Sequence, residues 1–405
     1  MPLTRRSFLK ATLTAPAVAS FASAVPDFLL RTCAAAESQR SDRVLVIVQL
    51  TGGNDGLNTL VPYADDAYGQ GRPTLRLPEK ELHKIDASLA FHQRMEAFLR
   101  LYKQGRLSIV QGVGAPNHSG DHDIAMRMWH TAELEPTGRQ TGWLGRTADS
   151  LPVSTNVPIA FVSSVSRPFA LNAENAIIPT VRTFDDLTIR PLGALAGPAT
   201  GDSGADNPLL ELLRRRHKSS RLVSERISKA AKETGGSDYP AFKLAANFRT
   251  ISQLIRADVG IRIFFTELGG DGFGGFDNHA NQIGNHCALL NQLAESTAAF
   301  VDDLAKRKLL DNVLMMTFSE FGRTVKENGR RGTDHGAAAP VFLAGGRLKG
   351  GLIGEHPKLT DLINGGLKFR LDFRSLYATV LDKWLNIDSR PVLGASFDPI
   401  DILAT

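Results

Sequence analysis

Six short runs of apolar and β-branched residues recur along the chain: RVLVIVQL (43–50), LSIVQGV (107–113), IAFVSS (159–164), IRIFFTEL (261–268), VLMMTF (313–318) and PVFLAGG (340–346). Each has the length of a strand, and none alternates cleanly between apolar and polar, as a sheet with one wet face would. Between them apolar residues return at helical spacing: Met95, Phe98, Leu99 and Tyr102; Leu244, Phe248, Ile251 and Ile255; then Leu289, Leu293, Phe300, Val301 and Leu304. Buried strands alternating with helices predict an α/β fold, a largely parallel central sheet with helices on both faces. In such sheets the chemistry sits where strands end and loops begin.

The two ends of the sequence differ in kind. Residues Thr4 to Lys10, TRRSFLK, resemble the bacterial twin-arginine export consensus; a weakly apolar stretch follows, and Ala34-Ala35-Ala36 has the small residues of a cleavage site. The expected organisation is a signal peptide over 1–36 and a single domain over 37–405. The chain would be handed to the twin-arginine translocation machinery, cross folded, and reside in the periplasm or outside the cell. No later stretch approaches the roughly 18 apolar residues a span requires, so no transmembrane segment is expected in the mature chain. The formal charge is +5, but residues 1–36 hold Arg5, Arg6, Lys10 and Arg31 against Asp27, which leaves the mature chain near +2. With no long basic run, nucleic acid is not an expected partner. Cys33 falls in the signal and Cys287 stands alone, which excludes a disulfide framework and a cysteine-based zinc site. Polar stretches around Gly201–Asn207 and Lys232–Asp238 read as surface loops.

Four loops collect the chemistry-bearing residues. After the first run comes Thr51-Gly52-Gly53-Asn54-Asp55-Gly56, where Asp55 can hold a hard cation or simply form a tight turn. After the second comes Asn117-His118-Ser119-Gly120-Asp121-His122-Asp123 at a strand-to-helix junction. Capping accounts for one of these residues and leaves the histidines unexplained. A serine there has a helix N-terminus beside it to receive an anion, and a metal or base to activate its oxygen. The third loop is glycine-rich and ends in Asp277-Asn278-His279, a carboxylate and an imidazole suited to zinc or manganese. The fourth runs from Ser319-Glu320-Phe321-Gly322-Arg323 to Asp334-His335-Gly336. Four of the ten histidines (His118, His122, His279, His335) lie in these loops.

This order of residues resembles the alkaline phosphatase and sulfatase superfamily. Within it the sequence is most similar to a poorly characterised, often twin-arginine-exported bacterial family known only as a domain of unknown function. The phrases LTGGNDGLNTLVPY, GFDNHANQ, FSEFGRT, GTDHGAAAPVFLAGG and DFRSLYATVLDKWLN carry that likeness across nearly the whole mature chain. The resemblance implies an alkaline phosphatase-like fold and a metal-dependent hydrolase of small anionic phosphate or sulfate esters. Ser119 would be its nucleophile and Arg323 would clamp the anionic group. One or two divalent ions (zinc, manganese or calcium) are implied. Asp55 would match the first-strand metal aspartate; Asp277, His279 and His335 would hold one ion, and Glu320 the second. Phe321 stands where the superfamily has a histidine, so the second set needs His122 or Asp334 as a substitute. The alternative is a non-catalytic exported protein that binds an anionic ligand, a glycan or an envelope partner on the same fold. A serine hydrolase of the G-x-S-x-G type is excluded by the absence of that elbow.

Overall fold

The computed structural model describes residues 43–135, 137–150, 159–163, 166–176, 178–184, 225–230, 238–270 and 275–404. The expected signal peptide, the loop 201–207, most of 232–238 and residues 271–274 of the glycine-rich loop lie outside the described residues.

All six apolar runs form strands of one sheet. Across it the order is Gly351–Ile353, Leu107–Gly114, Ala339–Gly345, Val313–Phe318, Val44–Leu50, Ile263–Leu268, Ile159–Val162 and Thr180–Val181, and Leu371–Asp372 also pairs with Leu107–Gly114. Val44–Leu50 sits at the centre, parallel to both Val313–Phe318 and Ile263–Leu268. Its side chains alternate between two cores. Val44, Val46, Val48 and Leu50 face the helices Glu96–Lys103, Lys243–Ala257 and Gln282–Lys306. Leu45 and Ile47 face His122–Thr131, Trp143–Asp149 and Phe373–Ala378. A strand buried on both faces can be apolar throughout, which is why the runs do not alternate in sequence. Each fully buried Val, Leu, Ile or Phe contributes about 1.5–3 kcal/mol, so the sheet is the rigid platform for its loops.

One strand departs from the parallel pattern. Ala339–Gly345 is antiparallel to both neighbours. The cause is local: after Val313–Phe318 the chain makes a small hairpin, Arg323–Glu327 against Thr333–His335, and re-enters the sheet from the same end. An antiparallel return needs no helical crossover. It also leaves His335 at the end of the sheet where Glu320 emerges. The loops after Leu50, Gly114, Leu268 and Phe318 therefore meet at one edge. Among the described residues, no helix is long and apolar enough to cross a membrane.

Candidate metal centre

Backbone geometry first draws the loops together. Gly52 and Gly53 both take positive φ, 107° and 79°, and a Cβ on Gly53 would stand 2.3 Å from the Phe321 ring. Only glycine allows that approach. Phe276 N–H donates to Thr51 O (2.8 Å) and Gly52 N–H to Glu320 Oε1 (2.8 Å). The Arg323 guanidinium, wholly enclosed, donates to Gly53 O (2.7 Å), Thr333 O (3.1 Å), Phe276 O (3.1 Å), Gly52 O and Asp277 Oδ1 (2.7 Å). It thus ties three loops to one another. The expected role of clamping a substrate anion does not suit this placement, because the donors face the protein and no open side remains.

Asp277 is the focus of what these loops carry. Its Oδ1 lies 3.0 Å from His279 Nε2, 3.3 Å from His335 Nε2 and 3.5 Å from His122 Nε2. The Nε2 atoms of His279 and His335 are themselves 2.8 Å apart. On the far side of each ring, Nδ1 meets an oxygen: Glu320 Oε1 for His122 (3.1 Å), Asp334 Oδ1 for His279 (3.2 Å), Gly120 O for His335. Carboxylate and carbonyl oxygens accept, so each Nδ1 donates and carries the ring proton. Three Nε2 atoms thus converge on one carboxylate oxygen.

The donor set has the chemistry of a divalent-cation site. Ligands at about 2.0–2.1 Å from a tetrahedral centre stand roughly 3.3 Å apart; the three distances to Asp277 bracket that value, and the 2.8 Å between His279 and His335 falls short of it. His122, Asp277 and His335 offer ligand atoms within 4.8 Å of one another, and His279 joins through Asp277 and His335. Burial pushes the Asp277 carboxyl up, but Arg323 and His335 outweigh it and hold its pKa below the ordinary value. The hydrogen bond to Glu320 raises the His122 pKa, so any cation there competes with a proton.

The remaining expected residues lie around this focus. Glu320 is buried a ring's width from Asp277, behind His122. Asp334 stands behind His279, its pKa lowered by the Asn328 amide and then by His279. Ser119 lines a small recess with His118, Trp129 and Glu320. Its Oγ accepts from Asp121 N–H (3.0 Å), while Asp121 caps the helix His122–Thr131 through Ile124 N–H. Among the described residues Ser119 makes no hydrogen bond to the four clustered side chains, though its neighbour Gly120 bonds His335.

Asp55, expected among the metal ligands, is instead fully met by other partners. Arg72 donates to both oxygens (2.6 and 2.9 Å), and Leu57 N–H and the Gln282 amide complete the set. Burial raises its pKa, and Arg72 more than reverses that. A buried guanidinium takes the place a cation would have had. Arg72 and Gln282 went unnoticed in the sequence because neither stands in a recognisable spacing; only the fold brings them to Asp55.

Residues 42–395 match the model of a family described as a protein of unknown function, DUF1501. The chain belongs to that family. No curated protein matches it. Among solved structures this DUF1501 chain is similar to an alkaline phosphatase superfamily protein from Vibrio parahaemolyticus (8% identity, TM-score 0.40, 91% of this chain and 77% of that one). It is also similar to the lipoteichoic acid synthase LtaP from Listeria monocytogenes (11%, 0.38, 96% and 80%) and to the PsFucS1 sulfatase from Pseudoalteromonas sp. (12%, 0.38, 93% and 75%).

Proposed function

We propose that this chain is an exported, metal-dependent hydrolase of phosphate or sulfate esters. The observation that carries the metal part is the convergence of three histidine Nε2 atoms on Asp277 Oδ1. Asp277, His122, His279 and His335 would hold one divalent ion, and a set of imidazoles with a carboxylate suits zinc or manganese. Such an ion supplies Lewis acidity, stabilising charge on an ester oxygen. The chain's own groups supply the rest. Ser119 presents the hydroxyl from a recess beside the cluster. His118 lines the same recess, and burial lowers its pKa, which favours the neutral imidazole that a general base needs. The Ser119 oxygen would attack phosphorus or sulfur as its proton passes to His118. The ester P–O or S–O bond breaks, and the alcohol leaves carrying that proton. Water then cleaves the covalent serine ester, releasing phosphate or sulfate and restoring the hydroxyl. Trp129 and Met128 form the apolar wall that limits water. The ester class and the serine role rest on the sequence resemblance; export rests on the TRRSFLK signal.

A second reading, a non-catalytic exported protein that binds an anionic ligand, a glycan or an envelope partner, draws on two placements. Arg323 is locked inside the protein, and Phe321 packs against His122 and His335 (ring centroids 4.9 and 4.4 Å) where a further ligand would otherwise stand.

Metal content decides first. Protein purified from its export compartment, without chelators or metal-affinity resin, is expected to carry about one divalent ion per chain. It should turn over aryl phosphate or sulfate esters, and Ser119→Ala should lose turnover with metal content unchanged. Metal without turnover favours the binding reading. A folded, metal-free protein that takes up no added metal ends the hydrolase proposal.

A further inference from the structure

We propose that Glu320 is a positioning residue for the centre rather than one of its ligands: it fixes His122 in the Nδ1–H tautomer and so makes that histidine the fourth ligand. The inference rests on the metal-centre reading above and goes beyond it in saying how a part-exposed side chain is recruited.

Of the three histidines, His122 is the most exposed, at 37% against 30% for His279 and 20% for His335. It is the first residue of its helix, where a side chain has more rotamer freedom than in a packed turn. Glu320, by contrast, is immobile. Its side chain is 2% exposed, Oε1 accepts from Gly52 N–H, and its main-chain oxygen accepts from the Trp129 indole N–H (2.9 Å). Trp129 is itself stacked on Phe318 and packed on Phe373, centroids 5.3 and 4.4 Å away. The acidic side chain is thus anchored to the sheet core and presents its oxygen to Nδ1 of His122. Nε2 of the same ring is the atom that faces Asp277, 3.5 Å away. A carboxylate behind an imidazole sets the tautomer, orients the ring and raises the basicity of the other nitrogen. Phe321 closes the remaining side and keeps the His122 ring between two fixed walls.

Placing Glu320 on the metal through Oε1 would take that oxygen from both Gly52 and His122, and Oε2 is turned to Ser319 Oγ (3.3 Å). The same sequence feature, an acidic residue directly after a central strand, therefore has a different use here.

The test is a set of zinc titrations against a chromophoric chelator, on metal-free wild type, Glu320→Ala, Glu320→Gln, His122→Ala and the His122→Ala/Glu320→Ala double variant. Cobalt(II) absorption spectra of each report coordination. Glu320→Ala is expected to weaken zinc binding by about 10–100-fold. Glu320→Gln, whose amide oxygen still accepts from Nδ1–H and Gly52 N–H, should recover most of that loss. In the His122→Ala background the Glu320→Ala change should cost less than about twofold, because the two residues then act as one unit. Cobalt spectra of Glu320→Gln should match wild type. A Glu320→Ala loss that persists undiminished without His122, with an altered cobalt spectrum in Glu320→Gln, would make Glu320 a ligand and overturn the inference. So would an unchanged affinity in Glu320→Ala. Imidazole ¹⁵N shifts of the metal-free protein in alkaline buffer give a reading independent of metal: His122 should be Nδ1-protonated in wild type, and the opposite tautomer sinks the inference. Wild type that takes up no zinc or cobalt, with the tautomer as expected, removes the metal-centre reading and leaves Glu320 only its structural bond.

Discussion

Two aspartates follow two adjacent parallel strands, and they have opposite surroundings. Asp55, after Val44–Leu50, is 2% exposed and accepts four hydrogen bonds, two of them from a wholly buried Arg72. Asp277, after Ile263–Leu268, keeps a third of its side chain exposed and faces three histidine Nε2 atoms as well as Arg323. At the first, every acceptor has a donor and nothing further is called for. At the second, three imidazole nitrogens crowd a single carboxylate oxygen that is still open to solvent. A carboxylate at a strand end is a candidate ligand in either case; the balance of donors and lone pairs around it separates structural from chemical use.

The largest expected effect breaks the first centre. Removing one partner of a buried ion pair leaves the other charge uncompensated and costs about 3–5 kcal/mol. Arg72→Ala should lower the unfolding free energy by that order in denaturant titrations of metal-free protein. Arg72 also donates to Val325 O and Thr324 O, which adds to the loss. A loss below about 1 kcal/mol would mean that Asp55 is not held as this geometry implies.

The second centre should answer in the opposite sense. His279→Ala removes a proposed ligand and should weaken zinc binding by more than the roughly 10–100-fold that an outer partner commands. The ring is partly exposed, so the metal-free melting temperature should stay within a few degrees of wild type. Equal stability losses at the two centres would erase the distinction drawn between them.

The contrast also marks how far the sequence could be read. The six strands were legible because burial on both faces leaves apolar runs that no other element explains, and they fixed which loops share an edge. His122, Asp277, His279 and His335 were legible as residues with ligand chemistry in those loops. The partner of Asp55 was not: Arg72 lies 17 positions on, in a segment with no spacing signal, and only the packed fold shows its guanidinium reaching both oxygens. Arg323 and Glu320 were visible as charged residues after a strand. What each one touches was not, because a charged loop residue reads alike whether it faces substrate or the backbone of the next loop.

Histidines away from the site sharpen the comparison through pH. Burial lowers the pKa of His92 and His130 to about 3 and that of His286 to about 4, so all three stay neutral in the fold. Unfolded, they take up a proton near 6.5. The stability tied to their neutral state is fully present above pH 6.5 and is lost as pH falls toward 4, by about 1.4 kcal/mol per pH unit for each. Melting temperature should therefore drop between pH 7 and 5 in metal-free protein. His130→Gln, which removes one such group and its bond to Gln49, should start less stable and decline less steeply. A flat profile would mean that these rings are not held neutral.

The smallest effect concerns Asp334, which stands behind His279 as Glu320 stands behind His122. Here the carboxylate is 60% exposed and is shared with the Asn328 amide (3.0 Å). An exposed acceptor is readily replaced by water, whereas a buried one is not. Asp334→Ala should therefore weaken zinc binding by only a few-fold, at or below the lower end of the roughly 10–100-fold range for outer partners. The loss should be well short of that in Glu320→Ala. His279 is held by a second route as well, since its main-chain oxygen accepts from Asn328 Nδ2 (3.0 Å) and its loop bonds the hairpin through Asn281 N–H and Arg330 O. If Asp334→Ala proved as damaging as Glu320→Ala, exposure would not govern the strength of these outer contacts, and the difference between a buried and a solvated carboxylate at this site would have to be sought in charge alone.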